Sequence, residues 1–243
     1  MPDKIFDDPR LAALYDASNP WGAGDAFYLA RAGDTPVRVL DVGCGTGALA
    51  CAMAARGHAV TGVDPARGML EIARSRPGGE AVRWIESDAA GLSVEGRFDL
   101  IVMTGHVFQV FLTDADIHAT LTALRSRLAP GGRLGFETRN PTAEAWRDWT
   151  AEATRRTLQV DGVGAVETCV DVTDVALPLV TFDTRVRFPD GAVSVSPSTL
   201  RFVARDELAG HLSDAGFTDV EWYGDWDGSP IKPDSPEIIV VAR

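Results

Sequence analysis

Three glycines at alternate positions, Gly43, Gly45 and Gly47, follow the apolar run Val39-Leu40-Asp41-Val42 and precede an alanine-rich stretch. Glycine lets a backbone approach a ligand closely, and the free N–H groups of a helix start then face that ligand. The spacing Gly43-x-Gly45-x-Gly47-Ala48 also satisfies the G-x-G-x-x-G/A pattern of nicotinamide-dinucleotide enzymes. Taken alone, the loop fits two cofactor classes and a plain strand-to-helix turn.

Two acids narrow the chemistry. Asp64 ends the second apolar run, where a carboxylate accepts hydrogen bonds from both hydroxyls of a ribose. It also stands where it can cap a helix opening at Pro65-Ala66, and both roles are expected. Asp88 follows the third run, in Trp84-Ile85-Glu86-Ser87-Asp88-Ala89. There it can accept from an exocyclic adenine amine, or serve only as a solvated turn residue. All three features lie at successive carboxyl ends of strands, the edge on which open α/β sheets bind ligands.

The elements that must position them alternate from about residue 36 to 138. Short apolar strands are expected at 38–42, 58–63, 82–85, 98–103 and 132–137, with helices at 47–56, 66–75 and from Thr113 towards Leu128. This is the rhythm of a parallel sheet covered on both faces. Beyond Pro141, segments such as Val166–Val172 and Thr181–Phe188 alternate apolar and polar residues, punctuated by Asp161-Gly162 and Pro189-Asp190-Gly191. They predict an antiparallel β meander inserted at 141–203. Helical periodicity returns at 206–212, and two strands close the chain near 218–223 and 237–242. Residues 1–35 read as an N-terminal helical lid, leaving 36–140 and 204–243 as the main domain.

Five stretches occur in order: Val39–Gly47, Gly62–Leu70, Glu86–Ala89, Phe98–Val102 and Leu128–Gly132. In these the chain resembles the class I S-adenosylmethionine-dependent methyltransferase family of small-molecule type. The resemblance implies an α/β, doubly wound, Rossmann-like and mostly parallel seven-stranded sheet with an antiparallel C-terminal strand. It implies S-adenosyl-L-methionine as cofactor. Asp41, Gly43, Cys44 and Gly45 would then hold its methionine part and Asp64 with Pro65 its ribose. Met69, Asp88 and Ala89 would lie at the adenine. Thr104, Gly105 and His106 would flank the sulfonium, and Tyr15 would close over the cofactor.

Methyl transfer from a sulfonium is an in-line displacement that alignment and exclusion of water largely drive. A hydroxyl or carbon acid acceptor also benefits from a general base, for which His106 is the candidate; otherwise it orients substrate or packs in the wall. On the acceptor side, Arg139 can clamp a carboxylate or phosphate. Trp146 and Trp149, three residues apart, form either a wall or core, and Tyr223 can reach the same pocket from a C-terminal strand.

Composition excludes several classes. A net charge of -12 without a basic run disfavours nucleic acid and favours a small-molecule acceptor. No apolar run suits a bilayer, and the charged N-terminus lacks a secretion signal, so a cytoplasmic enzyme is expected. Three cysteines without a CxxC pair and four scattered histidines give no metal site. Two alternatives stay in view: a nicotinamide-dependent oxidoreductase, and a non-catalytic S-adenosylmethionine-binding regulator.

Overall fold

The computed structural model describes residues 2–89, 91, 92 and 94–243. Three short helices, α1 (Lys4–Asp7), α2 (Pro9–Ala12) and α3 (Tyr15–Ser18), precede α4 (Ala23–Ala32). Then β1 (Arg38–Val42), α5 (Ala48–Ala55), β2 (Ala59–Asp64), α6 (Arg67–Ser75), β3 (Arg83–Glu86) and β4 (Phe98–Met103) alternate. They are followed by α7 (Asp114–Arg127) and β5 (Leu128–Arg139). Four antiparallel strands come next: β6 (Arg156–Val160), β7 (Gly164–Ala176), β8 (Leu179–Arg187) and β9 (Val193–Arg201). Helix α8 (Arg205–Asp214), β10 (Val220–Tyr223) and β11 (Glu237–Ala242) close the chain.

The main sheet has seven strands in the order β10-β11-β5-β4-β1-β2-β3. Only β11 runs against its neighbours, pairing antiparallel with both β10 and β5. From β1 the chain winds outward to β2 and β3, then returns to place β4 and β5 on the other side. The strand order therefore reverses between β1 and β4, the crevice where such sheets take ligands. Burial on both faces explains the nearly unbroken apolar runs of β1 and β2.

Each face has its own core. Phe27, Tyr28 and Leu29 of α4 and Leu49 and Met53 of α5 pack against Val39, Leu100, Val102 and Ile239. Ile117, Leu121 and Leu124 of α7 and Leu208 and Leu212 of α8 cover Leu40, Ile101, Phe136 and Val240. Thr113 starts α7 through a capping box with Asp116, as its sequence position predicts.

The segment 1–35 is built in two parts. Its apolar residues in α4 belong to the main core, whereas Leu11 and Leu14 pack on Leu158, Val160, Val166 and Phe188 of the four-stranded sheet. Tyr15 of α3 lies over Gly45 at the carboxyl edge of the sheet. Between the sheets the chain makes two short 3-10 turns, Pro141–Ala143 and Ala145–Asp148. No helix among the described residues is long and apolar enough to cross a membrane.

Candidate active site

The loop after β1 is fixed before any ligand arrives. Gly43 and Cys44 both donate backbone N–H groups to the Val63 carbonyl of β2, at 2.7 and 3.1 Å. Gly43, Gly45 and Gly47 have φ of 71°, 53° and 78°, the left-handed region that favours glycine. Two of them are also required by packing: a Cβ on Gly43 would overlap Val107, and one on Gly47 would overlap Trp84. Gly45 differs, since its nearest neighbour would be Tyr15 Cε1 at 3.8 Å. Its missing side chain leaves the surface beneath Tyr15 open.

Trp84 cannot easily give way, because its indole N–H is held by the Gly79 carbonyl at 2.8 Å. Gly47→Ala therefore combines a steric overlap with a strained φ. It is expected to destabilise by about 2–3 kcal/mol, lowering the melting temperature by about 5–10 °C. An unchanged calorimetric melting temperature would show that Trp84 moves freely.

Three buried carboxylates underlie this edge. Asp41 is 1% exposed, and its Oδ1 has no hydrogen-bond partner among the described residues. Burial, and then the charges of Asp64, Asp25 and Glu137, push its pKa up to about 7. Asp64 accepts from Gly45 N with one oxygen and Ala66 N with the other, both at 2.8 Å. It thus caps the turn into α6, as expected, and also ties that turn to the glycine loop. Glu137 is buried in β5; its carboxyl is pushed up by burial and pulled down by His106 and by the Tyr28 hydrogen bond.

Tyr15 stretches from one loop to the other. Its hydroxyl is 3.5 Å from where a Cβ on Gly105 would stand, while its ring covers Gly45. Burial and the surrounding carboxylates raise its pKa to about 12, so it is a neutral phenol at physiological pH. The next residue, Asp16, accepts from the Thr46 hydroxyl at 2.5 Å and from Arg76, latching α3 onto the glycine loop.

At the end of β4, Thr104 is half-buried, Gly105 is exposed, and His106 adopts φ 63°. The His106 backbone N–H donates to Glu137 Oε1 at 2.8 Å, and Tyr28 donates its hydroxyl to Glu137 Oε2 at 2.8 Å. His106 Nε2 lies 3.0 and 3.1 Å from the two carboxylate oxygens of Glu237, the first residue of β11. Arg139, paired in register with Glu237, turns its guanidinium to Gln109 Oε1 at 2.8 Å and over the Trp149 ring at 5.1 Å.

The other sequence candidates are placed less centrally. Asp88 is exposed and accepts from Gly91 N in its own turn; Ala89 packs against the larger core. Pro65 is exposed. Met69 is buried with Ala12, Ala66 and Tyr15, so its packing is supplied by the N-terminal helices. Cys44 is buried, which holds it as a thiol. Of the two readings open for Trp146, wall or core, the packing is that of core, and the acceptor-side expectation for Tyr223 needs correction. Trp146 is 7% exposed and packs edge-on to Phe202 at 4.6 Å, inside the cluster that backs the four-stranded sheet. Tyr223 donates to Glu221 and packs edge-to-face on Phe27, facing a cleft of about 590 Å³ with Arg31, Asp34 and Arg133 at the opposite edge of the sheet.

Sequence reasoning missed Glu137, Glu237, Tyr28 and Gln109. For Glu137 a signal existed: it is the one acid in the strand segment Gly132–Phe136 extended to Thr138, where both faces are covered. Buried acids need partners. Nothing local marked Glu237, whose partner is distant in sequence.

The fold and this edge together define an α/β protein whose strand order reverses between β1 and β4, the kind of switch point at which open α/β sheets take ligands. Residues 39–132 match the family model of a methyltransferase domain, and the relatives that resemble the chain over this stretch are methyltransferases. The chain is 39% identical over 112 residues to the ubiquinone biosynthesis O-methyltransferase of Azotobacter vinelandii, covering 44% of this chain and 47% of that one. It is 35% identical over 104 residues to the malonyl-[acyl-carrier protein] O-methyltransferase of Priestia megaterium, covering 42% and 36%. The match spans half or less of these curated relatives. Among solved structures, the CcbJ methyltransferase of Streptomyces caelestis superposes with a TM-score of 0.76 at 21% identity. CalS10, an amino pentose methyltransferase from Micromonospora echinaspora, superposes with 0.73 at 24%. Each likeness covers 95% of both chains, and so includes the inserted four-stranded sheet.

Proposed function

We propose that this protein transfers the methyl group of S-adenosylmethionine to a small molecule bearing an amine or hydroxyl. The observation that carries the reading is the meeting, at the β1/β4 switch point, of Gly45, Asp64, Tyr15 and the His106–Glu237 pair. The residues present suit this cofactor. The unpartnered Oδ1 of Asp41 beneath the loop suits a cationic ligand, and each Asp64 oxygen keeps a lone pair for a ribose hydroxyl.

In this reading Asp41 and the backbones of Gly43, Cys44 and Gly45 hold the methionine part. Asp64 and Pro65 hold the ribose, and Met69, Asp88 and Ala89 line the base. Thr104 and Gly105 stand beside the reacting centre, which Tyr15 shields from water. The bound cofactor supplies an electrophilic methyl group. The acceptor occupies the space between His106, the Arg139–Trp149 pair and the four-stranded sheet. An amine is suggested there by the Glu237 carboxylate and by the amino pentose methyltransferase and sugar N-methyltransferase among the similar structures. The ubiquinone biosynthesis relative is an O-methyltransferase and keeps a hydroxyl open.

Calorimetry on the full chain is expected to show S-adenosylmethionine binding and no NADH binding. Labelled S-adenosylmethionine offered with a panel of small amines and alcohols is expected to yield labelled product. Binding without transfer to any compound would favour the non-catalytic regulator, and NADH binding alone would overturn the methyl-transfer reading.

A further inference from the structure

We infer that Glu137 and Glu237 are positioning residues that clamp His106, one by its backbone and one by its ring, so that Nδ1 receives the acceptor's proton. The inference rests on the methyl-transfer reading above. His106 and Glu144 are the non-glycine residues with positive φ among those described. A residue with a Cβ persists in that conformation only when its surroundings hold it. Here the holding group is identifiable: Glu137, 2% exposed, accepts the His106 backbone N–H with one oxygen. Its other oxygen is taken by Tyr28 of α4. A buried carboxylate with both oxygens engaged is a rigid strut between the helical layer and the loop.

The ring is held from the other side. Nε2 faces both oxygens of Glu237, a geometry that requires Nε2 to carry the hydrogen. In the neutral ring the lone pair then lies on Nδ1, which has no hydrogen-bond partner among the described residues and is free for an acceptor. During transfer, the acceptor's nucleophilic atom forms a bond to the methyl carbon while the sulfur–carbon bond breaks and its electron pair stays on sulfur. The proton of that atom passes to Nδ1, and the Glu237 carboxylate stabilises the imidazolium, as a carboxylate does in an oriented histidine pair. The ionisable groups that contact His106 are Glu137 of β5, through the backbone N–H, and Glu237 of β11, through the ring, with Tyr28 of α4 reaching it by way of Glu137.

Nitrogen-15 spectra of the full chain test this without any acceptor. The His106 ring is expected as the Nε2–H tautomer in the wild type, and Glu237→Gln is expected to shift it towards Nδ1–H, while Glu237→Asp keeps a carboxylate near the ring and retains more of the original form. Amide exchange reports the second clamp. Glu137→Gln, whose amide can accept from only one of the two donors, is expected to speed His106 N–H exchange about 10-fold or more. Tyr28→Phe serves as the milder variant should Glu137→Gln fold poorly. With an acceptor from the panel above, Glu237→Gln is expected to lower kcat about 100-fold with the KM for S-adenosylmethionine nearly unchanged. A wild-type ring protonated on Nδ1, or a tautomer indifferent to Glu237→Gln, overturns the inference whatever the transfer assay gives. The expected tautomer in a protein that transfers no methyl group would overturn the functional reading instead, and with it the proton-acceptor role.

Discussion

Replacing Asp64 by alanine is expected to weaken S-adenosylmethionine binding by about 100-fold or more while the protein remains folded. Two hydrogen bonds from ribose hydroxyls to a buried carboxylate contribute about 3 kcal/mol or more together, which corresponds to a factor of about 100. The structure adds a second route to the same loss. Asp64 already accepts from Gly45 N and Ala66 N, so alanine also frees the loop that lies against the ligand. The two routes separate experimentally. The variant Asp64→Asn keeps one carbonyl oxygen for a backbone donor but removes the charge, so it should restore part of the thermal stability lost by alanine and little of the affinity. Calorimetric titration and a melting curve on both variants give the comparison. Unchanged affinity in Asp64→Ala would remove Asp64 from the ribose, leaving it a purely structural tie.

The parts of this site that could be read in the sequence are those in which chemistry follows directly along the chain. Gly43, Gly45 and Gly47 sit within one turn, and Asp64 directly ends a strand, so spacing alone placed them on one edge. The alternating pattern of 157–203 likewise announced an antiparallel sheet, since one-sided burial has a period of two. What could not be read depends on which strands become neighbours. Glu237 meets His106 only because β11 inserts antiparallel beside β5, a pairing no local pattern specifies. The failure at Tyr223 is of the same kind. Its strand was foreseen, but its side chain shares a face with Ile239, towards α4, so its hydroxyl turns away from the switch point. Trp146 had two readings for another reason: a large aromatic beside such an edge packs as readily as it binds, and Phe202 and Val180 provide a core for it. Gly47 and Gly62 owe their identity partly to Trp84, whose ring a Cβ at either position would strike. The glycine loop is therefore a packing motif as well as the proposed ligand cradle.

Asp41 offers the sharpest test of that dual role, because stability and binding should move in opposite directions. Its pKa is about 7 in the folded chain against an ordinary value of 3.8, through burial and the charges of Asp64, Asp25 and Glu137. A raised carboxyl pKa means that the folded state binds the proton more tightly than the unfolded one. Stability from this group is thus fully present below pH about 4 and is lost progressively as pH rises to about 7. At 1.36 kcal/mol per pKa unit, the loss approaches about 4 kcal/mol above neutrality. Asp41→Asn removes the charge and is expected to raise the melting temperature at pH 8 while changing it little at pH 4. The same substitution is expected to weaken S-adenosylmethionine binding by about 10-fold or more, since on the proposed reading it deletes the buried anion beneath the cationic ligand. In the wild type, binding near pH 6 should release a proton as Asp41 ionises against the ligand. Affinity should therefore rise with pH up to about 7 and then level off, a dependence that Asp41→Asn should flatten. Calorimetry in buffers of different ionisation enthalpy measures the proton release directly. A variant that loses both stability and affinity at pH 8 would mean that Asp41 supports the loop structurally and that its charge is not held in reserve for the cofactor.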